Sequence, residues 1–148
     1  MYRTIIAGAV IATLGTTLGP APEASQSSRP AGATAGASLG TVTLSRRAMA
    51  DGRPLAPGTY VVRLGQDDLT PAPGQSPGAE RYIEFLKDGT VIAREVATVI
   101  QGPDASSVLK GKGPRPGASR VDLLKGNDYL RIWLNSGGTH FLINLPTS

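Results

Sequence analysis

One histidine, His140, and no cysteine set the limits on what this chain could catalyse. A thiol nucleophile is excluded, and any Ser-His-Asp arrangement would have to recruit His140, yet no serine sits in a G-x-S-x-G elbow. A zinc site needs about three nitrogen, sulfur or oxygen ligands, which one histidine and scattered acids do not supply. Glu80, Glu84, Glu95, Asp67 and Asp68 could in principle pair for glycoside hydrolysis, but nothing in their spacing selects any two of them. Asp67 and Asp68 lack the alternating D-x-D-x-D-G pattern of a calcium loop. Gly113 is followed by Pro114 rather than by Lys and a helix, so no phosphate-cradling loop is formed. The sequence therefore predicts no catalytic residue, no metal ligand and no cofactor, and the protein is read as not an enzyme.

Recognition chemistry is better represented. Tyr129, Arg131, Trp133, Asn135, His140 and Asn144 fall on one face of a C-terminal strand array, and Trp, Tyr and Arg are the side chains that anchor interfaces. Tyr129 and Trp133, four apart on a strand, are separated by about 13 Å, a spacing that suits a platform for a sugar or a peptide. A second concentration is cationic: Lys110, Lys112 and Arg115, with Arg120 just beyond, lie among glycines and prolines with no acid after Asp104. Such a loop could contact an anion or an acidic polysaccharide. The net charge of +4 is too diffuse to argue for nucleic acid.

These residues are positioned by the stretch from Arg120 to Leu145, where Gly126-Asn127 and Gly137-Gly138 separate three strand-like runs. Both dipeptides tolerate the positive φ of tight hairpin turns, so the stretch reads as a three-stranded meander. The turns pair Leu123 with Leu130, Val121 with Ile132, Leu134 with Phe141, Ile132 with Ile143 and Leu130 with Leu145, all on one buried face. The same register sets Asp122 opposite Arg131 as an ion pair and Arg120 opposite Trp133 as a cation–π pair.

Upstream, strands are predicted at 41–44, 59–64, 81–87 and 90–100, and the meander strands at 120–125, 128–135 and 139–145. A three-residue Lys87-Asp88-Gly89 loop would pair Phe85 with Val91, Ile83 with Ala93 and Arg81 with Glu95. Residues 46–58, 65–79 and 101–119 read as turn-rich connections, and nineteen Gly with twelve Pro accompany the lack of any sustained helical period. The expected fold is all-β, a small seven-stranded antiparallel β-sandwich ending in the meander, with a small β-barrel as the alternative.

Pro54-Leu55-Ala56-Pro57-Gly58-Thr59-Tyr60-Val61-Val62 resembles the L-x-P/A-G-x-Y stretch that precedes a strand in secreted prealbumin-like and carboxypeptidase-regulatory-like β-sandwich domains. The resemblance implies a sandwich and a non-catalytic module, with the tyrosine entering the core; it carries over no site residues. The whole chain is also similar in layout to secreted bacterial β proteins.

The N-terminus has one basic residue, Arg3, then an apolar run, then Pro, Ala and Ser, the layout of a secretory signal peptide over residues 1–24 and too short for a transmembrane helix. No cysteine is present to acylate. Residues 25–37 read as a disordered Pro/Ala/Ser/Gly linker and 38–148 as the domain. The sequence thus points to a secreted or periplasmic binding or structural module of the bacterial cell envelope, with envelope polysaccharide or protein as partner and no transmembrane segment in the mature chain. Two alternatives go with it: a carbohydrate-binding module using Tyr129 and Trp133, and a lipocalin-like carrier of a small apolar ligand.

Overall fold

Ten short elements follow one another in a computed structural model that describes residues 36–109 and 111–148. The expected leader and all but the last two residues of the expected linker lie outside the described residues. The strands are β1 (Ser38–Leu44), β2 (Ala48–Ala50), β3 (Arg53–Leu55), β4 (Gly58–Leu64), β5 (Glu80–Lys87) and β6 (Thr90–Gln101). A short helix, α1 (Gly102–Val108), precedes β7 (Ser119–Leu123), β8 (Tyr129–Ser136) and β9 (Thr139–Pro146). Gly36 and Ala37 already hydrogen-bond to the Leu64 backbone at 2.8 Å, so backbone pairing starts ahead of Ser38.

Seven strands make one antiparallel sheet in the order β1-β4-β5-β6-β9-β8-β7. The sheet curls until its edges approach, and the Ser119 hydroxyl on β7 donates to the Thr41 carbonyl on β1 at 2.6 Å. Of the two architectures the sequence allows, this all-β fold is thus close to a barrel. Curling of this kind blunts both edge strands, which would otherwise present unpaired backbone groups. Among the described residues no helix is long and apolar enough to cross a membrane.

The inward face carries the core. Leu44, Val62, Ile83, Phe85, Leu130, Ile132, Leu134, Ile143 and Leu145 are sealed from solvent, from alternate positions along their strands. Tyr60 also points inward, packs edge-on against Phe85 with centroids 6.3 Å apart, and donates its hydroxyl to the Ala56 carbonyl at 2.7 Å. That bond satisfies the buried phenol and ties down the Pro57-Gly58 turn.

The meander register is the one the two glycine turns dictate: Leu123 opposite Leu130, Val121 opposite Ile132, Leu134 opposite Phe141. Its outward ion pair is different. Arg120 binds Asp122 on its own strand at 2.8 Å, and Arg131 instead reaches Asn144 at 3.4 Å. The expected Asp122–Arg131 pair is therefore corrected, and the Arg120 guanidinium is engaged with Asp122 rather than stacked on the Trp133 opposite it.

The β5–β6 hairpin also departs from expectation. Its loop is the two residues Asp88 and Gly89, at φ 50° and 77°, and Ile92 is an extra residue that shifts the register between Leu86↔Val91 and Phe85↔Ala93. The bulge rescues the tight turn, because it returns Ala93 to the core face opposite Phe85, where it is buried with Ala97. Ile83 then lies opposite Glu95, while Arg81 pairs with Asp68 at 3.4 Å. Glu95 instead accepts from the Asp51 backbone N–H at 2.9 Å.

Two elements arise where connections were expected. Asp51-Gly52, both at positive φ, turns β2 into β3, and this hairpin adds Ala48, Ala50 and Leu55 to the core. α1 starts with Pro103 in its first turn and Asp104 beside it, residues suited to a helix N-terminus.

Candidate functional site

The six recognition residues of the meander separate into two groups along its outward face. Tyr129, Arg131 and Asn144 lie at the end remote from the Gly137-Gly138 turn, and Tyr129 is 46% exposed. Trp133, Asn135 and His140 lie near that turn and are buried, Trp133 to 5% exposure. Residues 102–109 and 111–118 cover the second group and stop short of the first, so Tyr129 and Trp133 do not share an open platform.

The cover is held from both sides. α1 turns Ala105 inward, with Leu109 following, to pack on Ile100 and Leu142, a small apolar cluster on the outer side of the sheet. The chain then returns over the indole so closely that a Cβ on Gly113 would lie 2.5 Å from Cζ2 of Trp133. Only a glycine permits that approach. Asn135 fixes the far end: its Nδ2 donates to the Pro114 carbonyl at 2.9 Å, its Oδ1 accepts from Gly138 N–H at 3.0 Å, and its backbone bonds to Gly117 and Ala118. Asn135 is therefore a positioning residue for the cover.

Between cover and sheet is a cleft of about 240 Å³, floored by Trp133 and His140 and walled by Gly102, Ser106, Lys112 and Pro114. The Trp133 Nε1–H donates to Nδ1 of His140 at 2.8 Å. An indole nitrogen only donates, so Nδ1 is the acceptor and the neutral ring carries its proton on Nε2. Burial pushes the His140 pKa below its ordinary value, which favours that neutral form. Nε2 has no hydrogen-bond partner among the described residues, and His140 lines the cleft.

Four of the five acids weighed for catalysis are engaged elsewhere, Glu95 through the Asp51 backbone N–H. Asp67 binds Arg94, Asp68 meets Arg81, and Glu84 binds Arg63 at 2.6 Å. Among the described residues no three His, Asp or Glu side chains gather as a metal site would require. Lys112 lines the cleft, and Arg120 reaches the Lys112 carbonyl at 3.5 Å while holding Asp122. The sequence pattern identified Trp133 and His140 but missed Ser106, Gly113 and Pro114, which belong to the covering loop and carry no strand or helix periodicity.

No protein-family model, curated protein or solved structure matches this chain.

Proposed function

We propose that this protein is a secreted or periplasmic, non-enzymatic module acting by binding or in a structural role at the bacterial cell envelope, with the cleft over Trp133 and His140 as its contact site. The observation that carries this reading is the 2.8 Å bond from Trp133 Nε1 to His140 Nδ1. A catalytic histidine beside a serine offers a bare nitrogen to the hydroxyl and donates its other N–H to a carboxylate. His140 has the reverse arrangement: the nitrogen left to the cleft carries the proton, so toward a neighbour such as Ser106 it is a donor and not a base.

The leader-like N-terminus and the Pro54–Val62 resemblance to secreted sandwich domains support the extracytoplasmic part. The apolar cluster that the curled sheet encloses favours the outer surface over a carried apolar ligand as the place of contact. Trp133 is the single tryptophan, so its emission reports the cleft alone. Saturable change in that emission with an envelope-derived polysaccharide or protein, together with recovery of the expressed chain outside the cytoplasm, is the expected result. A cytoplasmic chain whose Trp133 responds to no envelope component would refute the reading.

A further inference from the structure

Resting on that assignment of the cleft, we infer that its ligand is a carboxylated sugar ring of the uronate type. The donor set comes first. His140 is 8% exposed and lines the cleft, and with Nδ1 accepting from Trp133 its Nε2–H is a donor with no partner among the described residues. Ser106 and Lys112, a hydroxyl-bearing and a cationic residue, also line the cleft, and among the described residues that line it there is no acid. Asp104, on the same helix as Ser106, does not line it, and Asp122 is engaged by Arg120. A site of donors with a cation and no carboxylate selects an acceptor-rich anion.

Shape narrows the class. At about 240 Å³ the cleft is smaller than the ~300–1,000 Å³ that houses drug-sized ligands, yet roomier than a bare oxyanion needs. Trp133 and Pro114 supply apolar contact beside the polar donors, which matches a ring with a C–H face and a hydroxylated rim. Arg115 follows the lining residue Pro114 in the chain and Arg120 donates to the Lys112 carbonyl at 3.5 Å, so further cations stand next to the cleft wall for a polymer of such units.

The test titrates the full chain with galacturonate, galactose, oligogalacturonate and inorganic phosphate, following Trp133 emission and heat of binding. Galacturonate is expected to bind at least about tenfold more tightly than galactose, with the difference shrinking as salt is raised. Lys112→Ala, at an exposed side chain, is expected to remove that preference while leaving the thermal midpoint unchanged. Tighter binding of the oligomer identifies a polysaccharide as the source, and equal binding identifies the free sugar acid; either supports the shared chemistry. Equal affinity for galactose and galacturonate would overturn the carboxylate while leaving the cleft as a site. Phosphate binding as well as galacturonate would overturn the ring. Silence of Trp133 toward all four would overturn this ligand class, and the cleft itself falls only if envelope extracts are silent too.

Discussion

Trp133 and His140 are diagonal neighbours across the β8–β9 hairpin, joined by an indole N–H donated to Nδ1 at 2.8 Å with ring centroids 5.7 Å apart. The bond fixes the imidazole tautomer, and its two partners form the floor on which the 111–114 segment rests. One hydrogen bond therefore links the stability of the cover to the chemistry offered by the cleft.

Removing the donor should be costly. Trp133→Phe keeps an aromatic ring but leaves Nδ1 of a buried His140 without a partner, a penalty of about 1–3 kcal/mol. Urea unfolding followed by circular dichroism is expected to show a loss in that range. Tyr129→Ala, on the exposed end of the same strand, should stay within about 0.5 kcal/mol of the parent. Equal losses in the two variants would mean that the bond contributes nothing specific.

Acid should act through the same pair. Burial holds the His140 pKa below 6.5, so as pH falls the unfolded chain takes up this proton before the folded one does. Between the folded value and 6.5 the unfolded state binds more protons, and stability must decline with falling pH across that interval. The contribution is complete above 6.5 and is lost as pH drops through the folded value. An imidazolium also has no lone pair for the indole, so the Trp133 environment should change with it. The thermal midpoint and Trp133 emission, followed from about pH 8 to about pH 5.5 to stay clear of the carboxylates, should fall and shift together. A midpoint that rises on acidification would contradict the assignment.

Much of this was legible in the sequence, and the exceptions have physical causes. Gly126-Asn127 and Gly137-Gly138 admit few backbone solutions, so the meander pairs follow from turn chemistry and period two. At β5–β6 the adjacent apolar residues Val91 and Ile92 hide the bulge, since either can be counted as the inward one. β2–β3 had its signal in Asp51-Gly52, masked by Pro54 and the flanking arginines. α1 is too short to show a helical period, although Ala105 and Leu109 keep the four-residue spacing. Alternation also assigned Trp133 to the outward face but is silent on what lies over it. The cover comes from a glycine- and proline-rich segment with no pattern of its own.

Gly113 tests the cover directly. With no room for a methyl group beside Cζ2 of Trp133, Gly113→Ala must lift the 111–114 segment or tilt the indole. Overpacking of this kind costs about 1–3 kcal/mol. The expected signature is a red-shifted, more readily quenched Trp133 emission with the strand signal in circular dichroism retained. Gly113 is not at a positive φ, so its substitution tests the clash alone; Gly74→Ala, whose methyl enters open space, is the control and should leave Trp133 emission untouched. Unchanged emission in Gly113→Ala would show that the segment does not rest on the indole.

Leu55 tests whether the β2–β3 hairpin is part of the core or merely a connection. It has no solvent exposure, and Ala48 and Ala50 beside it are equally sealed within the cluster that holds Phe85 and Ile132. Truncating a leucine in such a position removes transfer energy and leaves a cavity, together about 2–5 kcal/mol. The neighbouring strand offers the control: Val61, 44% exposed on the outer face of β4, should lose little on truncation to alanine. Leu55→Ala should therefore lower the urea midpoint far more than Val61→Ala, with the slope of the transition unchanged, since the hairpin unfolds with the barrel. A separate early transition in Leu55→Ala, or a loss no larger than that of Val61→Ala, would show that residues 48–55 merely lie against a barrel that folds without them.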